Sequence, residues 1–157
     1  LTIKNISGYN MNNQLHEFIK KQDTEKYATQ NGRTIHAKLQ FVRIGSDTVG
    51  DADLIAKIMA GGAELQSFFD DNAQTEVPIA GIIDGRFISR RIDRLVVDDT
   101  MKTVRVLDYK TDAAPEKFRS KYIAQIREYT ALLKQIYPDY KIIGYILWLH
   151  DWRLEKL

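Results

Sequence analysis

The sequence predicts a mixed α/β (α+β) domain: a three-stranded antiparallel meander joined to a parallel strand through a helical crossover, with helices on both faces of the sheet. Three observations predict it. Asp84-Gly85 lies between two strand-like apolar segments, 76–83 and 86–97, and is the strongest short hairpin signal. Phe118, Tyr122, Ile126, Tyr129, Leu133 and Ile136 recur at helical spacing over 118–137. The run Ile142 to Leu149 is almost continuously apolar, as a strand buried on both faces must be.

The elements follow in order. Residues 1–31 are polar and read as an arm or linker from a preceding region, with a short helix over Gln14–Lys21. Asn31-Gly32 punctuates the chain. Thr34 to Val42 then reads as a helix with Ile35, Leu39 and Val42 on one stripe and His36 at its border. Gly45 and Gly50 end that segment, and Asp51 caps a second helix through Leu54, Ile55, Ile58 and Met59. Gly61-Gly62 breaks it, and Ala63 to Asp70 adds one or two turns. The meander is formed by 76–83, 86–97 and 104–110, with a polar turn at 98–103. Pro138 stops the long helix. Strand, helix, strand is a right-handed crossover, so 141–149 should lie parallel to 104–110.

Composition bounds the function. The length of 157 residues suits one domain. Hydrophobic and charged fractions of 44% and 28% are those of an ordinary folded protein, and a net charge of +2 does not by itself announce a nucleic-acid binder. The absence of cysteine excludes a disulfide scaffold, a thiolate nucleophile and a Cys-ligated zinc or iron–sulfur site. No apolar run approaches the ~20 residues that span a bilayer. No P-loop motif occurs. The first residue is Leu rather than Met, and the chain reads as a piece of a longer protein.

Turn chemistry brings carboxylates together. A two-residue turn at Asp84-Gly85 places Glu76 opposite Asp93. A second hairpin centred on Thr100-Met101 places Asp93 opposite Asp108. Opposed residues share a sheet face, with Cβ atoms roughly 4.5–5.5 Å apart. Lys110 lies two residues beyond Asp108 and points the same way. Stacked like charges repel, so either these are solvated strand charges or something offsets them. The economical offset is a hard divalent cation, Mg²⁺ or Mn²⁺. A bulge at Gly81 would remove Glu76 from the set and leave Asp93 and Asp108.

These residues resemble a known family. Ile92-Asp93-Arg94-Leu95-Val96, a turn, and Leu107-Asp108-Tyr109-Lys110-Thr111 are similar to the PD-(D/E)XK nuclease superfamily, and most similar to its RecB-like branch, the AddA-type nuclease domains of bacterial helicase–nucleases. Gly32-Arg-Thr-Ile-His36 resembles the branch's G-x-x-x-H helix, Glu76-Val-Pro-Ile its E-x-P-[ILV] strand, and Gln125-x-x-x-Tyr129 its Q-x-x-x-Y helix. The resemblance covers about residues 32–150. It implies a restriction-endonuclease-like core over 32–157, and the missing cysteines exclude the relatives that carry an iron–sulfur staple.

The resemblance also implies roles. Asp93, Asp108 and His36 would ligate the metal, and Glu76 would help hold it or its water. Lys110 would orient the attacking water or stabilise phosphate charge. Gln125 and Tyr129 would line the catalytic groove. Read from the residues alone, Arg86, Arg90, Arg91 and Arg94 on one strand, and Lys117, Arg119 and Lys121 at the start of the long helix, either contact DNA phosphates or form solvated charged faces. Trp148, His150 and Trp152 would either stack bases or pack in a core or interface. The expected activity is Mg²⁺-dependent exonucleolytic cleavage of DNA within a helicase–nuclease of double-strand-break repair. The expected partners are DNA, helicase domains of the same parent chain and an AddB-like subunit, in the cytoplasm at the nucleoid and not in a membrane. The alternatives are a stand-alone exonuclease of the same branch and a non-cleaving module that binds DNA or a partner.

Overall fold

The computed structural model describes residues 30–112 and 115–157. The expected helix over Gln14–Lys21 and nearly all of the arm lie outside them. The described chain runs α1 (Gln30–Leu39), β1 (Arg43–Ile44), β2 (Thr48–Val49), α2 (Ala52–Ala60), α3 (Ala63–Gln66), β3 (Gln74–Ile83), β4 (Arg86–Asp98), β5 (Thr103–Lys110), α4 (Pro115–Ile136), β6 (Lys141–Trp148) and β7 (Arg153–Lys156). The fold is mixed α/β, built on a mixed five-stranded sheet of order β3-β4-β5-β6-β7.

The meander forms in the register its turns dictate. Asp84 and Gly85 take φ of 50° and 74°, the paired left-handed values of a type I′ turn, and Ile83 faces Arg86. Across the second hairpin Asp98 faces Thr103 and Arg94 faces Leu107. β6 lies parallel to β5, with Asp108 beside Ile146 and Lys110 beside Trp148. β3 is an edge strand, where Pro78, which has no N–H to donate, is tolerated.

Two apolar layers flank the sheet. On one side α1, α2 and α3 bring Leu39, Leu54, Ile58 and Leu65 against Leu107, Tyr109, Tyr145 and Leu147. On the other, α4 brings Ile126, Tyr129, Leu132 and Leu133 against Val104, Val106, Ile146 and Trp148. β6 thus supplies alternate residues to both layers, which is why its sequence is apolar without alternation. Gly144 lets α4 lie close on β6: a Cβ there would stand 2.2 Å from Ile126 Cγ2.

Three local expectations are corrected. Asn31-Gly32 does not interrupt the chain but lies within α1, which ends at Leu39 rather than Val42. The segment between Gly45 and Gly50 belongs to a short β1–β2 ribbon. A fifth strand, β7, pairs antiparallel with β6 after a turn in which Trp152 has φ 56°. The Asp51 cap forms as expected, its Oδ1 accepting from Asp53 N and Leu54 N.

Candidate active site

The pairing of β4 with β5 runs to Arg94↔Leu107, and Asp93 and Asp108 are the next residues along each strand. Here the strands fork. The Asp93 side chain enters the fork, and its Oδ2 accepts the Tyr109 N–H at 2.7 Å. On the other flank, Thr75↔Arg94 and Val77↔Ile92 keep the predicted register, and between them Glu76 turns left-handed with φ 51°. The sheet changes face across this row. Ile88 and Ile92 pack beneath α4 from even positions, whereas Leu95 does so from an odd one. Turn chemistry finds the row, but strict alternation does not carry through it.

Asp93, Asp108 and Lys110 are buried, at 1%, 0% and 6% exposure. Asp108 and Lys110 sit with Gln125 and Tyr129 in a closed ring of polar contacts. Lys110 Nζ lies 2.5 Å from Asp108 Oδ2 and donates to Gln125 Oε1 at 2.9 Å. Gln125 Nε2 donates to Tyr129 Oη at 2.6 Å, and Tyr129 Oη lies 3.2 Å from both Asp108 Oδ1 and the Arg91 carbonyl. Because a lysine only donates, it fixes the orientation of the Gln125 amide. Burial, with the Asp108 and Asp93 charges, pushes the Tyr129 phenol well above its usual range, so the O–H stays protonated and able to donate.

His36, 2% exposed, closes the site from α1. Its Nδ1 is 2.9 Å from the Gly32 carbonyl, one helical turn back, and its Nε2 is 3.2 Å from the Tyr109 carbonyl and 3.9 Å from Asp93 Oδ2. Its ring meets the Tyr109 ring edge-on at 5.4 Å. The glycine of the G-x-x-x-H segment therefore supplies the carbonyl that sets the imidazole's tilt.

The predicted site residues divide into groups. Asp93, Asp108, Lys110, Gln125, Tyr129 and His36 come together. Glu76 stands at the margin, its Oε2 3.7 Å from Arg91 Nη1. Of the predicted phosphate contacts, Arg86, Lys117 and Lys121 are exposed. Arg90 pairs with Glu128 and Arg119 with Glu155. Arg94 is a correction. It is 2% exposed, donates to Tyr109 Oη at 2.8 Å and to the Leu39 and Val42 carbonyls, and lies 4.3 Å over the Phe69 ring. Buried, with Nε and Nη2 bonded inside the protein, it does not reach the surface where a phosphate would lie. Trp148 is fully buried and donates to Glu155 Oε2 at 2.8 Å, so it packs rather than stacks a base. His150 is exposed, and Lys57 covers the half-buried Trp152 ring at 5.6 Å.

Sequence reasoning missed Asp112 and Tyr122. The Tyr122 hydroxyl donates to Asp112 Oδ2, and its ring lies 4.4 Å from Lys110 Nζ. The available signal was a tyrosine in an apolar helix stripe, whose hydroxyl needs a partner when buried.

Among the described residues no three His, Asp or Glu side chains converge as a ready cage for a metal ion. The donor chemistry nevertheless fits a hard cation. Asp93 and Asp108 are buried carboxylates in adjacent strands, Lys110 pairs with Asp108, and the His36 Nε2 lies 3.9 Å from Asp93 Oδ2. No protein-family model matches the chain, and no curated protein matches it significantly.

Proposed function

We propose that this domain is a Mg²⁺- or Mn²⁺-dependent deoxyribonuclease with a PD-(D/E)XK-type core, cutting phosphodiester bonds as the exonuclease domain of an AddA-like helicase–nuclease. The observation that carries the proposal is the buried Asp108–Lys110 pair, two residues apart on β5, locked by Gln125 and Tyr129 beside Asp93 where β4 and β5 part. The order of the resembling motifs supports the same reading.

Asp93 and Asp108 would hold the ion, with His36 and the Tyr109 carbonyl beside them. Such an ion supplies a Lewis acid for a phosphate oxygen and lowers the pKa of a bound water. The rest is done by the chain. Lys110 exchanges one of its present contacts for the water or the phosphate and offsets charge as it builds. Gln125 and Tyr129 keep the lysine and Asp108 in place, and the neutral Tyr129 adds no third negative charge. Arg86, Lys117 and Lys121 remain for the DNA backbone. A helicase in the same parent chain would deliver the strand, with an AddB-like subunit as partner, in the cytoplasm at the nucleoid. No helix of the described residues is long and apolar enough to cross a membrane.

Calorimetric titration with Mn²⁺ tests the site. Asp93→Asn keeps the shape and an acceptor for the Tyr109 amide but loses the charge, so affinity should fall by about tenfold or more. Equal affinity in the variant would contradict the assignment.

A further inference from the structure

Lys110 is held on three sides. The Asp108 carboxylate lies 2.5 Å from Nζ, the Gln125 amide oxygen accepts at 2.9 Å, and the Tyr122 ring presents its face at 4.4 Å. An ammonium has three N–H donors and no acceptor. It is surrounded by an ion-paired carboxylate, a hydrogen-bonded amide oxygen and a π face. Tyr122 stands three residues before Gln125, so the two share one face of α4.

The ring is itself fixed. Its hydroxyl donates to Asp112 Oδ2, two residues beyond Lys110 on the chain. The Trp148 and Phe118 rings lie 5.9 Å and 6.3 Å from it. The latch thus runs from the end of β5 to α4 and back onto the β5 lysine. Burial, then the bond to Asp112, pushes the Tyr122 phenol up, which keeps the hydroxyl protonated as the donor of that latch.

We propose that Tyr122 is a positioning residue for Lys110, its ring, latched by Asp112, walling the ammonium in beside Asp108 and Gln125. A lysine stem has many rotamers, so an unwalled ammonium samples several orientations. The ring contact is also the least directional of the three, which lets the ammonium pivot toward a substrate while still confined. This role rests on the nuclease reading for its effect on rate, but not for its effect on the lysine's surroundings.

The test compares Tyr122→Phe, Tyr122→Leu and Lys110→Met in the 157-residue chain. By NMR, the Lys110 ε-methylene signals, identified by their loss in Lys110→Met, should be displaced upfield by the ring in the wild type and in Tyr122→Phe. They should return to the ordinary lysine position in Tyr122→Leu. In Mg²⁺-dependent DNA cleavage, Tyr122→Leu should lower kcat about tenfold at unchanged KM, and Tyr122→Phe by less than about threefold. Added to Lys110→Met, Tyr122→Leu should cost nothing further. Undisplaced wild-type signals, or an equal loss in the Lys110→Met background, would overturn the proposal. A chain that shows the displaced signals but cuts no DNA would overturn the nuclease reading and support the placement of Lys110.

Discussion

Arg94 shows what a residue's neighbours in sequence can and cannot say. It lies among Arg86, Arg90 and Arg91 and reads as one of a basic group. Its neighbours in space are the Leu39 carbonyl at the end of α1 and the Val42 carbonyl just beyond it, and it donates to both from β4. By holding the end of α1 against the sheet it also helps fix His36, one turn earlier, against Tyr109. The face change at Asp93 decides which way Arg94 points, and no turn signal announces it. Arg94→Ala would open a cavity and leave those carbonyls buried, so unfolding free energy should fall by about 3 kcal/mol. The midpoint of urea denaturation measures it. The Asp108, Lys110, Gln125 and Tyr129 set was legible because each spacing, two along a strand and four along a helix, converts directly to a shared face. The Asp112–Tyr122 contact was not, because it joins a loop to a helix.

At the scale of elements, legibility followed local chemistry. Two polar turns set the registers of β3, β4 and β5, and an apolar run marked β6 as central. The β1–β2 ribbon and β7 escaped notice because each has few residues and mixed polarity, and only their partners make them strands. Besides its pairing with β6, β7 is tied to α4 and β6 through Glu155. Burial opposes ionisation of that carboxyl, but the bonds from Arg119 and Trp148 and the charges of Arg119 and Arg153 outweigh it and hold the group below its ordinary 4.5. Its contribution to stability is therefore complete above the ordinary value and is lost as pH falls through the lower one. Thermal melts should show a constant gap between the wild type and Glu155→Gln at neutral pH, shrinking as the pH drops below 4.5. The close seating of α4 on β6 gives a second prediction. Gly144→Ala forces Ile126, buried on α4, to shift, at a cost of about 1–3 kcal/mol in chemical denaturation.

The whole molecule places one helical layer on each side of a mixed sheet and opens the sheet where its third and second strands part. Each layer lends to that opening: His36 comes from α1 on one side, Gln125 and Tyr129 from α4 on the other, and the acids and lysine from the sheet between. A net charge of +2 hides this arrangement, since buried acids at the fork are averaged with exposed Arg86, Lys117 and Lys121. The absence of cysteine, first only an exclusion, accords with a fold whose described residues are held by two apolar layers and a buried polar ring. The most direct test of the nuclease proposal is cleavage of linear DNA in Mg²⁺ by the wild-type chain and by Asp108→Ala, with circular dichroism confirming that both are folded. The wild type should degrade the DNA and the variant should be slower by at least about a hundredfold, whereas cleavage at the wild-type rate by a folded Asp108→Ala would contradict the account.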